Sequence, residues 1–553
     1  DDQGQLSFSQ GVLGQTRLSI IDLSGGHQPM RDEKTNTLIT FNGEIYNYRS
    51  LRAQLETYGH VFHTQSDTEV ILKAYLQYGE ESPTYLDGMF AFAIWDENRH
   101  ALFVARDRFG EKPFYYTLYK NTFIFASEIK AILATKIFTP TIDPIALDNY
   151  LALLYIPPWR TIYKEIHPLP PAHAGIFHAG RFTQRRYWQL RKQSHTLNLS
   201  QTIEKTSHLL TASVKNCLLA ADVEVGTFLS GGIDSSIVSA LAAQASPKKI
   251  KTFSAGFEDF INELPYAKSV AERIGSDHYE QHIRTDLIDT YQEVSHYFDE
   301  PFADSSHIPT ALISRFARTH VKTVLSGDGG DELFWGYGHY RRHHHLRKVE
   351  KIALALFSNP FESYKHYIQH WKPKERVRLW KDPSVIDDDP ARHIDLSQAE
   401  TDLERINLVD FGMVLPGDML TKIDRASMMS ALEVRAPFLD HTLAQFAYNL
   451  PASYKTDRYR GKLILEHTFT NVLPKEVFTR KKQGFGAPIK HWLHKPEFKK
   501  LVTDTLSKDA LLTHFFHWEE VQKVVGSFYA GQDDTKYRLW TLLSLELWLR
   551  RTL

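Results

Sequence analysis

Hydrophobic and polar positions alternate at short range through the first 130 residues, in runs such as LSII, TLITFNGEIYNY, MFAFAIWD, ALFVARD and TFIFAS, punctuated by Gly, Pro and Asn. This predicts a strand-rich unit up to about Lys130. Two stretches inside it change period: YRSLRAQLETYG and SDTEVILKAYLQYG begin on polar residues, place apolar ones at helical spacing and carry a glycine just past the end. They predict helices covering a sheet. Between about Ala131 and Gln201 prolines gather (Pro157, Pro158, Pro168, Pro170, Pro171) and no long periodic segment develops, which predicts a connecting region holding the boundary between two units.

From about Ser200, strand-like and helix-like runs alternate: EVGTFLS, IVSALAAQA, IKTFSAGF, a helix through YAKSVAERIG, then VKTVLSG. Such alternation predicts a parallel sheet. The remainder, from about Tyr340, reads as mostly helical and ends in the amphipathic RLWTLLSLELWLRRTL, expected to pack around that sheet.

Composition narrows the function. At 553 residues the chain exceeds what one hydrophobic core organises, so two or three domains are expected. With 42% hydrophobic residues, 24% charged residues and a formal net charge of -1, it is neither disordered in composition nor polarised toward nucleic acid or an anionic membrane. No apolar run approaches the roughly 18 to 20 residues of a spanning helix. The single cysteine, Cys217, excludes an intrachain disulfide and a thiolate cluster and suits a reducing cytoplasm; its helical context, SVKNCLLAA, predicts a packing role. The His-rich stretch Arg341 to Lys348 reads as a solvated basic face, because consecutive histidines diverge on a helix.

The strongest chemical signal is Ser230-Gly231-Gly232-Ile233-Asp234-Ser235-Ser236, directly after a strand and directly before a helix. Glycines let the backbone approach a phosphate, the helix start offers unpaired N–H groups, and the serines add hydroxyls. The loop has no lysine and carries a carboxylate, Asp234, instead, so it reads as a pyrophosphate cradle rather than a Gly-Lys-Ser/Thr loop. An isolated Ser-Gly-Gly would be only a capped turn; the seven residues in context favour the anion site. A second loop, Ser326-Gly327-Asp328-Gly329-Gly330-Asp331-Glu332, also follows a β-branched strand. In a doubly wound sheet both loops fall at the carboxyl ends of strands, where ligands bind. Two carboxylates facing one crevice need a cation between them, so Asp234 and Asp331 are the Mg²⁺ candidates, a surface acidic turn being the alternative. The segment Arg480-Lys481-Lys482-Gln483-Gly484-Phe485-Gly486 combines charge with glycines, as a closing loop over a phosphoryl group would.

Together these residues resemble the asparagine synthetase family, in the order LGQTRLSIIDLSGGHQPM, FNGEIYNY, SDTEVILKAY, LDGMFAFAIWD, ARDRFGEKPFYY, FASEIKAIL, FLSGGIDSS, SGDGGDELFWGY, KIDRASMMSALEVRAPFLD and RKKQGFG. The resemblance covers nearly the whole chain. It implies a fold of class α+β plus α/β. An N-terminal-nucleophile-type glutaminase sandwich of the type 2 glutamine amidotransferases would span residues 1–185. A doubly wound, parallel-sheet ATP-pyrophosphatase synthetase domain with a helical C-terminal part would span 200–553.

On this resemblance Arg17 holds the glutamine carboxylate, Asn42 and Gly43 form the oxyanion hole, and Glu44 and Asp67 recognise the α-amino group. Taken singly, Asn42-Gly43 would be a hairpin turn and Asp67 with Ser66 a helix cap. Leu229, Ser230, Gly231, Gly232, Asp234, Ser235, Ser236, Ala255, Ser326 and Gly327 contact ATP. Lys482, with Lys481 as the alternative registration, stabilises charge on the departing pyrophosphate or on the intermediate. Asp328 stands as a catalytic candidate where many relatives carry glutamate, in a loop reading SGEGSDE. The implied chemistry is attack of the aspartate side-chain carboxylate on ATP, giving an aspartyl-adenylate that ammonia converts to asparagine. The alternatives are another acceptor carboxylate, as in β-lactam synthetases and pathway amidotransferases, or a nucleotide-binding relative without catalysis. The family nucleophile is an amino-terminal cysteine; the sequence opens at Asp1, which implies truncation by some tens of residues and ammonia as nitrogen donor for the chain as it stands. ATP, Mg²⁺, aspartate, and glutamine or ammonia are thus the expected ligands, with no nucleic acid and no membrane, and with the assembly state open, a homodimer included.

Overall fold

The computed structural model describes residues 1–257, 262–283, 288–344, 359–480 and 486–552. In the N-terminal half, strands β1 (Asp2–Phe8) and β2 (Gly11–Arg17) form a hairpin. The strands β3 (Met30–Asp32), β4 (Thr37–Ile45), β5 (Gly88–Asp96) and β6 (Ala101–Arg106) follow. Next come β7 (Tyr115–Tyr119), β8 (Thr122–Ala126) and β9 (His167–Pro168), which form a small sheet of their own, then β10 (His173–His178) and β11 (Arg181–Arg186). Six of these strands make an antiparallel sheet in the order β11-β10-β6-β5-β4-β3.

The period-two pattern is what gives this sheet two cores. Phe90, Phe92 and Ile94 of β5 pack under the helices Tyr48–Thr57 and Asp67–Tyr78, while Ala91, Ala93 and Trp95 face Leu13 and Phe114 on the other side. Both faces are therefore buried. Ser66 caps the second helix by accepting from Thr68 N at 3.2 Å. One expectation fails here: LSII is not a strand, because β2 ends at Arg17 and Ile20 and Ile21 enter the core from irregular backbone.

In the C-terminal half, β12 (Val225–Phe228), β13 (Lys251–Phe257), β14 (Asp277–Ile283), β15 (Thr323–Leu325) and β16 (Glu433–Arg435) form a wholly parallel sheet in the order β14-β13-β12-β15-β16. Helices Ile233–Ala245 and Leu264–Ile274 cover one face, with Val225, Leu229 and Leu325. Helix His307–Arg318 covers the other, with Phe253 and Val324. Strand order runs outward from the β12–β15 pair in both directions, so the loops after β12 and β15 leave the sheet at a topological switch point. The fifth strand, β16, falls in the part expected to be helical; three residues are too few to show a period.

The expected connecting region also carries structure. Helix Pro144–Leu153 is buried along nearly its whole length and packs with Trp492, Trp540 and Leu543 from the C-terminal part. A helix enclosed on all sides has no polar face, so it leaves no helical periodicity in the sequence. The terminal helix Lys536–Thr552 is similar: residues Leu539 to Glu546 are all buried, so its amphipathic reading was too generous. Between them, Asp148 pairs with Arg376, both side chains wholly inaccessible, and also accepts from Trp380 Nε1 at 2.9 Å. Burial pushes the Asp148 carboxyl up to about 6, against the pull of Arg376. The substitution Asp148→Ala leaves a buried guanidinium without its charge partner and is expected to cost about 3–5 kcal/mol, read as a lowered thermal unfolding midpoint; an unchanged midpoint would show the pair to be dispensable.

Candidate active site

The two glycine loops meet. Because β12 and β15 are adjacent and parallel, Ser230–Ser236 and Ser326–Glu332 leave the sheet side by side. Gly232 caps helix Ile233–Ala245, and Ser230 Oγ accepts from Gly232 N at 3.2 Å and lies 3.0 Å from Ser235 Oγ. A Cβ on Gly327 would sit 2.8 Å from both Asp234 Cβ and Ser235 N, so only glycine lets the second loop lie against the first. Leu229 is buried and contributes backbone, its N–H donating to Phe253 at 2.8 Å. Ala255 is half-buried on β13, the next strand. Ser326 is fixed through its N–H, which donates to the Arg435 carbonyl at 2.8 Å. Ser236, by contrast, is fully buried, with an Oγ that lacks a hydrogen-bond partner among the described residues.

Asp234 and Asp331 converge on one cation, as two carboxylates in one crevice require, and that cation is Lys462 Nζ. It lies 2.6 Å from Asp331 Oδ1 and forms a shorter contact with Asp234 Oδ2. Burial disfavours the charge on Lys462, but Asp234 and Asp331 outweigh it and hold the ammonium firmly protonated. No sequence motif marks this lysine, which starts helix Leu463–Phe469 with φ at 61°. Asp328 is pushed up by burial, with Lys422 working against the shift. Lys422 is itself buried and lies 3.0 Å from Asp304 Oδ2. Of the basic segment, Lys481 and Lys482 lie outside the described residues, as do residues 345–348 of the His-rich stretch. Arg480 is described. Its guanidinium stands 3.5 Å from where a Cβ on Gly232 would be, pairs with Glu263 at 2.8 Å and lies over Tyr266 at 4.8 Å. Among the described residues no cluster of three or more His, Cys, Asp or Glu is arranged to hold a metal ion.

The second site lies in the N-terminal half. Arg17, Asn42, Gly43, Glu44 and Asp67 line one pocket, together with Lys112, Met428 and Glu433, to which the sequence assigned no role. Asn42 and Gly43 are not a hairpin turn: both lie inside β4, where Gly43 has φ at 141° and a Cβ would meet Met89 O at 2.0 Å. Asp67 reaches across to β4 and accepts from Ile45 N at 3.0 Å. Burial pushes its carboxyl up to about 6. Burial and the Glu433 charge raise Glu44 well above the usual range. Glu44 Oε2 and Arg17 Nη1 are buried without hydrogen-bond partners among the described residues, while Arg17 Nη2 donates to Ile21 O at 2.6 Å. An orphaned carboxylate oxygen and an orphaned guanidinium nitrogen in one pocket suit a zwitterionic ligand.

Segment Thr421–Arg435 separates the two sites. From it, Asp424 pairs with Lys112 at 3.2 Å, Arg425 with Glu128 at 3.2 Å, and Arg435 with Glu44 at 3.5 Å. Cys217 is buried in helix Leu199–Leu219, its thiol pushed up by burial, as a packing residue should be. At the loops, Gly327→Ala would force either Asp234 or the Ser235 backbone to move. Nucleotide affinity is expected to fall about tenfold or more and the thermal midpoint to drop with roughly 1–3 kcal/mol of overpacking; unchanged affinity would mean that the loops do not share a ligand.

The family model described as asparagine synthase covers residues 205–550, and the one described as glutamine amidotransferase domain covers residues 1–188. The chain is 32% identical to asparagine synthetase [glutamine-hydrolyzing] 1 of Bacillus subtilis, over 99% of this chain and 91% of that protein. It is 34% identical to a putative asparagine synthetase [glutamine-hydrolyzing] of Mycobacterium bovis, over 97% and 88%. A more distant relative, 26% identical over 96% of this chain and 89% of its own length, is the amidase chyE of Penicillium rubens. With whole-length relatives above 30% identity and a family model over most of the chain, this protein belongs to the asparagine synthetase family.

Proposed function

We propose that the chain is a ligase that uses ATP to amidate the side-chain carboxylate of aspartate, giving asparagine, AMP and pyrophosphate, with ammonia drawn from glutamine in the N-terminal pocket. The observation carrying this reading is the meeting of the Ser230–Ser236 and Ser326–Glu332 loops at the switch point, with Asp234 and Asp331 converging on a single cation. The N-terminal half, residues 1–185, is read as a glutaminase sandwich of the N-terminal-nucleophile type, and residues 200–553 as the synthetase.

Backbone amides of Gly231 and Gly232 and the hydroxyls of Ser230 and Ser235 cradle the phosphates, and Ser326 and Gly327 close the crevice from the neighbouring strand. The pair Asp234 and Asp331 fits a divalent ion, since two carboxylates converging on one point are what a hard cation shared with phosphate oxygens requires. These two residues would hold Mg²⁺, which supplies charge neutralisation for the pyrophosphate leaving group. Lys462 Nζ stands at that point in the structure, so the ion would take its place there with the ammonium displaced toward the phosphates. Lys482 is assigned to the departing pyrophosphate, and Arg480, already beside Gly232, supports a cationic wall there. Asp328 and Lys422, which interact electrostatically, are assigned to the acceptor side of the crevice. In the N-terminal pocket, Arg17 pairs with the glutamine α-carboxylate, Glu44 and Asp67 hold its α-ammonium, and Asn42 and Gly43 donate to the developing oxyanion.

A second reading, another carboxylate as acceptor, is favoured by Asp328, one methylene shorter than the glutamate common at that place in the family. ATP–pyrophosphate exchange over a panel of carboxylic acids separates the two. Aspartate is expected to stimulate exchange, and with ammonium to give asparagine and AMP in equal amounts; stimulation by another acid alone would replace the first reading, and none by any acid would overturn both.

The pocket carboxylates set a pH dependence. Asp67 has a folded-state value of about 6, above its ordinary 3.8, so its ionisation works against the fold: the stabilisation it gives is complete below about 3.8 and gone above about 6. An α-ammonium needs the ionised form, so glutamine binding runs the other way. Affinity measured by calorimetry is expected to weaken about tenfold per pH unit below 6, and Asp67→Asn to flatten that profile; a flat profile in the unmodified protein would remove Asp67 from glutamine recognition.

A further inference from the structure

Arg435 reaches both sites. It is fully buried, and its guanidinium is divided among several acceptors. Nε donates to Glu433 Oε1 at 2.7 Å, and Nη1 to the carbonyls of Cys217 at 2.6 Å and Ala220 at 2.9 Å. Nη2 is left 3.5 Å from Glu44 Oε1, and the group lies over the Tyr46 ring at 5.7 Å. Glu44 and Tyr46 belong to the FNGEIYNY segment of the N-terminal half. The backbone of Arg435 faces the other way: parallel pairing sets it opposite Leu325, and its carbonyl accepts from Ser326 N at 2.8 Å.

Short bonds from Nε and Nη1 fix the guanidinium, whereas the reach to Glu44 is long, in a buried place where charge is poorly screened. Such a contact depends on what else neutralises Glu44. Three carboxylates, Glu44, Asp67 and Glu433, line the pocket with the cations Arg17 and Lys112, while Arg435 stands beside Glu44 and Lys112 is shared with Asp424, so four acids meet three cations. A ligand ammonium supplies the charge that balance lacks.

We infer that Arg435 is a positioning residue coupling occupancy of the glutamine pocket to the Ser326 loop of the nucleotide crevice. This rests on the glutamine and ATP readings above. When an α-ammonium draws Glu44 into its ionised form, Nη2 of the fixed guanidinium gains a charged partner, and β16, with the β15–β16 contact holding Ser326, firms. In the reverse direction, a nucleotide that orders Ser326 fixes β16 and with it the wall around Glu44. Linkage requires the two effects to be equal.

Calorimetry on the whole chain, titrating glutamine and the non-cleaved analogue α,β-methylene-ATP alone and each in the presence of the other, measures the coupling directly. Each ligand is expected to tighten the other about fivefold, equally in both directions. Arg435→Lys keeps the charge but loses the fork that spans Glu433 and Glu44. In it the coupling factor is expected to fall to about 1 and glutamine affinity about tenfold. A factor of 1 in the unmodified chain would overturn the inference without any variant, so poor folding of Arg435→Lys does not protect it. A fivefold factor kept in Arg435→Lys would overturn it too. Failure of the unmodified chain to bind glutamine removes the pocket reading and the coupling together; glutamine binding that is indifferent to nucleotide removes the coupling alone.

Discussion

A carboxylate taken out of water stays ionised only when something positive or hydrogen-bonding is brought to it, and that constraint organises this molecule. Each place where chemistry is expected is an excess of acids around a buried cation. Lys462 stands between Asp234 and Asp331, Lys422 lies beside Asp304, Lys112 beside Asp424, and Arg435 between Glu433 and Glu44. Where the cation falls short, the acid is driven toward its neutral form, as burial does to Glu44, Asp67 and Asp328. The structural pair Asp148–Arg376 obeys the same rule with no ligand to complete it. The difference proposed for the two sites is that the balance is left short, so that a cationic or metal-bound ligand would complete it.

The same cations tie the halves together. Helix Thr421–Met428 and strand β16 lie in one continuous stretch of chain, and Asp424, Arg425 and Arg435 along it each reach a charged group of the N-terminal half. Arg425 Nη2 also donates to Ser127 O at 2.7 Å, and Ser127 Oγ accepts from Asn42 Nδ2 at 3.3 Å. A buried ion pair gives little net stability for its cost, but it fixes register, because a shifted partner would leave a charge unpaired. Register is what two sites in different halves need if a product of one is to be consumed at the other.

What the sequence disclosed follows from how local each signal is. The two loops were legible because glycine, serine and aspartate stand next to one another between a strand and a helix, and the pocket residues because several motifs occur in a fixed order. Lys462 was not legible: it meets Asp234 from 228 positions away, and a lone lysine has no local pattern. Glu433 and Lys112 stand inside two of those motifs without a local signal of their role, since only folding brings them to Glu44 and Asp67. Helix Pro144–Leu153 was hidden by being wholly enclosed, and β16 by its brevity. LSII misled for the opposite reason, because burial of Ile20 and Ile21 mimics a strand where the backbone is irregular.

The position of Lys462 carries the constraint into the chemistry. A lysine fixed at the meeting point of Asp234 and Asp331 keeps two carboxylates at the distance a cation imposes before any nucleotide arrives, so the crevice does not reorganise against their repulsion when it does. The strained backbone at Lys462, a non-glycine residue at positive φ, is the kind of local cost a fold sustains only where the side chain must point one way. Gly336 makes room for it: a Cβ there would lie 1.9 Å from Asp331 Oδ1 and 2.2 Å from Lys462 Cε. The acidic pair, the lysine and the glycine that admits them are therefore one unit, its charges already converged.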